Sequence, residues 1–107
     1  MSVITGNTDV FTLIITMSVK PENCDALLEL IERTTKEFIS HQPGFISANL
    51  HRNTDSTKLV NYGQWENSTL YAQARARAEF KSLSEGVAEL AENIEPVPCR
   101  VVFTEER

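Results

Sequence analysis

The chain is poor in the residues that make metal sites and disulfide frameworks: two cysteines and two histidines in 107 residues, with four glycines, four prolines and one tryptophan. Each scarcity excludes something. Cys24 and Cys99 stand far apart in no ligand-like spacing, so they read as small, mostly buried apolar side chains. No CxxC or HxxxH occurs, and no glycine-rich loop follows a strand, which removes the common zinc and phosphate-binding patterns. His41 and His51 are isolated, and there is no nucleophile motif of the serine-hydrolase kind. Basic residues are outnumbered, 10 against 15 acidic, giving a net charge of −5. Arg75 and Arg77 are only a close pair in a mixed segment. Nucleic acid is therefore not an expected partner. Neither a signal-peptide pattern nor an apolar run of membrane-spanning length is present, so no membrane partner is expected and the cytoplasm is the expected location.

What remains is an ordinary globular composition at a length that suits one domain and can bury a core without staples. Residues 1–9 are polar and read as a flexible lead-in; 10–107 read as a single domain. Val10 to Lys20 (VFTLIITMSVK) has strand composition, with Phe11, Leu13, Ile15, Met17 and Val19 on one face. Pro21 opens a helix, where its missing N–H costs nothing. Cys24, Leu27, Leu28, Ile31 and Phe38 form that helix's buried stripe, and Gln42-Pro43-Gly44 ends it. A hairpin follows: Phe45 to Asn53, a turn at Asn53-Thr54-Asp55-Ser56, then Lys58 to Glu66. Simple alternation places Phe45, Ser47, Asn49 and His51 on one face of its first arm. Asn67 or Ser68 caps a second helix, which breaks near Ala78 and continues through Phe80, Leu83, Val87, Leu90 and Ala91. Pro96 and Pro98 stop it, and Cys99 to Glu105 is the expected last strand.

The order β-α-β-β-α-β is that of an α+β, ferredoxin-like domain: four strands in one antiparallel sheet, both helices on one face. The other face carries too many apolar residues to stay wet. A homodimer is expected, with the sheets of two copies covering each other.

Chemistry is best sought on the helix-facing side of the third strand. Alternation puts Asn61 and Trp65 on one face with Gly63 between them, where a missing side chain opens a hollow. An amide offers donors and an acceptor, and the indole a donor. Tyr71, one turn into the next helix, can set its phenol over the same hollow. Two readings stand at this point. Trp65 and Tyr71 are core aromatics and Asn61 bonds a strand end, or the three hold an anionic oxygen on an aromatic ligand.

The Gln42-Pro43-Gly44-Phe45 turn, the hairpin, and Val60-Asn61-Tyr62-Gly63-Gln64-Trp65-Glu66-Asn67 together resemble the antibiotic biosynthesis monooxygenase domain, over about residues 10 to 104. The resemblance implies a dimeric α+β barrel. It implies oxidation of a phenolic or polycyclic aromatic substrate to a quinone by O2, without metal, flavin, haem or any other cofactor. Asn61, Trp65 and Tyr71 match the family's catalytic residues. Leu13, Ile15, Gly63 and His51 are the expected substrate-contacting residues. Some members carry a second Asn where this chain has Ile15, and an Arg where it has Leu83-Ser84-Glu85-Gly86. Haem-degrading relatives use a first-strand Asn and a His on the helix after the Trp strand. Neither is present, which argues against haem degradation. A non-catalytic small-molecule binding domain is the alternative, and isomerisation or cyclisation with Tyr71 or His51 as acid or base a third reading.

Overall fold

The computed structural model describes residues 10–107. The lead-in expected over residues 1–9 lies outside the described residues. The element order is β1 (Phe11–Val19), α1 (Pro21–Glu37), a 3-10 turn (Ile39–His41), β2 (Phe45–Arg52), β3 (Lys58–Trp65), α2 (Ser68–Arg75), α3 (Ala78–Leu90) and β4 (Ala91–Cys99). The four strands form one antiparallel sheet in the order β2-β3-β1-β4, the ferredoxin-like arrangement. No helix among the described residues is long and apolar enough to cross a membrane.

The expected stripe of α1 packs as read: Cys24, Leu27 and Ile31 are buried, and Leu28 and Phe38 pack beside them. These residues meet Met17, Val19, Leu59 and Trp65 from the sheet and Leu83 and Val87 from α3. One sheet face and the inward stripes of the helices therefore make a single core. That burial is the main favourable term in the fold.

Two expectations about strands fail, each for a local reason. The last strand is Ala91–Cys99, not Cys99 to Glu105. The helix before it ends at Leu90 without help from proline, and Pro96 and Pro98 lie inside the strand. Proline cannot donate to a ladder, so it is confined to sheet edges. β4 is such an edge, paired only with β1, with Pro96 opposite Ile15 and Pro98 opposite Leu13. Residues beyond Cys99 carry no regular structure.

The second failure is in β2. Phe45 and Trp65 are partners, but the next pair is Ser47 with Gln64, so Ile46 is an extra residue. A bulge of this kind shifts the alternation by one. Beyond it, Ala48 pairs with Gly63 and Leu50 with Asn61, while Asn49 and His51 pair with Tyr62 and Val60. His51 thus belongs to the sheet face away from the helices.

Candidate active site

Three backbone devices build the site. Gly44 sits at φ +87°, in the left-handed region that favours glycine. A Cβ added there would come within 2.6 Å of Leu70 Cδ1. The Gly44 carbonyl accepts a hydrogen bond from Glu66 N–H at 2.7 Å. The QPGF turn thereby clamps the end of β3 to the start of α2. Asn67 then caps α2, its Oδ1 accepting from Leu70 N–H at 2.8 Å, as the sequence pattern proposed. The consequence is that Tyr71 is aimed back at the end of β3.

There it meets an aromatic group. Ring centroids lie 5.5 Å apart for Trp65 and Tyr71, 5.5 Å for Trp65 and Phe45, and 5.3 Å for Tyr71 and Phe11. Tyr71 also meets Phe80 edge-on at 6.1 Å. Phe11 and Phe45 flank Trp65 because both pair with it across the sheet. Offset or edge-on contacts at these distances are favourable beyond the area they bury.

The rings of Phe45, Trp65, Tyr71 and Phe80 form part of the wall of a cavity of about 290 Å³ between the sheet and the helices. Leu13, Ile15, Asn61, Gly63, Trp65 and Tyr71 all line it, so six of the seven residues singled out in the sequence share one space. Gly63 makes room as expected. A Cβ there would meet only the carbonyl oxygens of Leu13 and Ser47, both at 3.8 Å. Asn61 stands directly across from Ile15 in the β1–β3 register.

The seventh residue does not belong. His51 is exposed and absent from the cavity wall, because the bulge at Ile46 turns it to the other side. Leu50 takes the place alternating with Ala48 on the helix side. Acid or base roles that depend on His51 reaching the hollow lapse with it.

The polar inventory of the cavity is short. Buried side-chain atoms without a hydrogen-bond partner, among the described residues, are Asn61 Oδ1 and Ser47 Oγ. Ser47 is in register with Gln64, whose Nε2 donates to Thr12 Oγ1 at 3.1 Å in a buried row. Both residues line the cavity, and Asn61 does so from the same strand row as Gly63 and Trp65. A buried carbonyl oxygen left without a donor costs about 1–3 kcal/mol. A ligand hydroxyl in the cavity would remove that cost.

Arg75 is the wall residue that sequence reasoning missed. It follows Tyr71 by one helical turn, and its Nη1 donates to the Tyr71 hydroxyl at 3.3 Å. Its guanidinium carbon lies 6.0 Å from the Tyr71 ring centre and 5.7 Å from that of Phe80. The i, i+4 spacing from Tyr71 was the available signal. Among the described residues no group of three or more His, Cys, Asp or Glu side chains is placed to hold a metal ion.

Residues 10–86 match the antibiotic biosynthesis monooxygenase family. The chain belongs to that family. Tetracenomycin-F1 monooxygenase of Streptomyces glaucescens is 34% identical over 83 residues, a stretch that spans 78% of this chain and 66% of that protein. Among solved structures, the monooxygenase from the gene ActVA-Orf6 of Streptomyces coelicolor, in complex with nanaomycin D, superposes with a TM-score of 0.82 at 29% identity, covering 91% of each chain. SnoaB, a cofactor-independent oxygenase of Streptomyces nogalater, shares the fold with a TM-score of 0.75 at 22% identity, covering 92% of this chain and 95% of its own.

Proposed function

We propose that the protein is a cofactor-independent monooxygenase that oxidises a phenolic or polycyclic aromatic substrate to a quinone with O2. The observation that carries this reading is the unpartnered Asn61 Oδ1 in a cavity walled by Trp65 and Tyr71. An aromatic ligand finds ring faces and edges there, and its hydroxyl finds an acceptor. The family membership and the aromatic polyketide-type names of the relatives support the same substrate class.

The chemistry balances without a further reductant. The phenolic substrate loses a proton and becomes electron-rich. It passes one electron to O2, and the two radicals join to form a C–O bond. The resulting peroxide breaks its O–O bond as the carbon that bears it gives up its hydrogen as a proton: the C–H electron pair becomes the second bond of the new carbonyl, one oxygen stays in that carbonyl, and the other leaves as water. The protein's part is to hold and discharge the oxyanions. The Asn61 carboxamide offers an acceptor to the substrate hydroxyl and donors to the anion formed from it. The Trp65 indole N–H is a second donor in an apolar space, where such contacts are strongest. Tyr71 has an oxygen lone pair engaged by Arg75 Nη1, and its own proton is left to donate to the departing oxygen.

Oxygen uptake with an anthrone or a hydroquinone tests this, with Asn61→Ala and Trp65→Phe alongside the parent protein. Uptake should fall in both variants; equal rates in all three would remove these residues from the mechanism. A second reading has one observation in its favour. Ile15 faces Asn61, so the strand pair presents one carboxamide rather than two, and a non-catalytic binding domain needs no more. Tight ligand quenching of Trp65 fluorescence without oxygen uptake selects that alternative.

The reading includes a homodimer formed through the sheet faces, in the cytoplasm. Ile14, Val60 and Tyr62 lie on the face away from the helices with Val97, which is 41% exposed. Light scattering at micromolar concentration should give twice the chain mass, and a monomer would end this part of the reading.

A further inference from the structure

Among the described residues, Arg75 is the only charged one in the wall of the cavity. In a chain of net charge −5, it has no carboxylate partner among the described residues, whereas Arg33, Lys36 and Arg52 each have one. Its neighbours are instead the hydroxyl and ring of Tyr71 and the ring of Phe80. Those contacts hold the guanidinium in place and occupy little of its hydrogen-bonding capacity, since a guanidinium carries five N–H donors in a planar fork. A planar fork on an exposed residue at the wall of an apolar, aromatic-lined space is complementary to a carboxylate on a flat ligand.

A second polar demand of the cavity is of opposite character. Asn61 Oδ1 is an acceptor with no donor. It lies four strand residues from Trp65, about 13 Å of extended chain, and Trp65 in turn contacts Tyr71, which contacts Arg75. The cavity thus offers an acceptor on the strand side and a cation on the helix side, with aromatic rings between.

We propose that Arg75 is a specificity residue that selects a hydroxylated aromatic acid: a ring system whose hydroxyl donates to Asn61 and whose carboxylate is taken by the Arg75 fork. This rests on the cavity being the substrate site, and it deepens that reading by naming an acidic group the oxidation itself does not require. Arg77, two residues on, serves no such role. Its guanidinium stacks on Phe38 at 6.0 Å, outside the cavity wall.

The test is binding of a hydroxynaphthoic acid and its methyl ester to the full chain at neutral pH, by titration calorimetry. The acid is ionised there, since an ordinary carboxyl titrates near pH ~4. The parent protein should bind the acid about tenfold more tightly than the ester, as a charge-assisted pair adds to the shared ring contacts. Arg75→Gln should close that gap and leave the ester's affinity unchanged, while Arg77→Gln keeps the gap. Equal affinities in the parent protein overturn the proposal, and so does a gap that survives Arg75→Gln. Equal weakening of both ligands by Arg75→Gln also overturns it, because stacking would then be the residue's whole role. If Arg75→Gln does not fold, Arg75→Lys keeps the charge without the fork and should narrow the gap; an unchanged gap counts against the proposal. Oxygen uptake with a neutral hydroquinone is read separately. Acid preference without uptake removes the oxidative reading and keeps this one, and uptake without acid preference does the reverse.

Discussion

The Tyr71 ring meets the Trp65 indole at 5.5 Å and an interplanar angle of 66°, across the junction where β3 gives way to α2. The contact ties the two proposed donors together, so Tyr71 has a packing role beside the chemical one proposed for it. Tyr71→Phe separates them. The ring contacts remain, and the lost hydroxyl bond to the exposed Arg75 costs stability of only about 0.5–1 kcal/mol. Turnover should fall about a hundredfold if the phenol supplies a proton. Thermal melting and oxygen uptake on the same preparation check both halves.

Gly63 is the place to fill the cavity without disturbing the sheet. Its Cβ position is in ordinary contact with two carbonyl oxygens and nothing closer. Gly63→Leu should therefore fold, project its side chain into the cavity, and weaken ligand binding by tenfold or more, on the order of 1.4 kcal/mol. Unchanged affinity for the hydroxynaphthoic ester would show that ligands bind elsewhere.

Gly44 should respond in the opposite way. A side chain there pays for the left-handed backbone and also collides with Leu70. Gly44→Ala should lower stability by about 1–3 kcal/mol. It should also loosen the start of α2, reducing turnover beyond what the stability loss explains. Denaturant melts give the first quantity. Activity measured far below the melting temperature gives the second.

His51→Ala should do little. The residue is exposed on the other side of the sheet, and surface substitutions of this sort stay within about 0.5 kcal/mol. Activity and ligand affinity equal to the parent's are expected. A large loss of turnover would mean that the strand alternation seen here is not that of the working enzyme.

The sequence and the structure agree where a segment's pattern depends on its own residues. Pro21 and the Cys24, Leu27, Ile31 spacing define α1 by themselves, and Asn67 caps α2 with a bond to Leu70 three residues away. Asn61, Gly63 and Trp65 share a face because β3 runs straight. Agreement ends where a neighbour decides. Pro96 and Pro98 look like helix stops until β1 supplies a partner on one side and leaves the other an edge. Ile46 carries no sign of being surplus, because only β3's register makes it so. Arg75 looked like half of a surface pair with Arg77. The interruption of the helix between α2 and α3 sends one to the cavity wall and the other to Phe38.

The surplus residue at Ile46 works as a phase setting for the cavity wall. Passed over in the ladder, it leaves Ala48 and Leu50 in the helix-side row with Gly63 and Asn61; paired into a regular ladder from Phe45, it would leave Ser47, Asn49 and His51 there. The same residues would then present a hydroxyl, an amide and an imidazole in place of an aliphatic row. What lines the cavity is therefore set by pairing as well as by composition, and comparisons that align β2 without its bulge will pair residues that never face the same ligand.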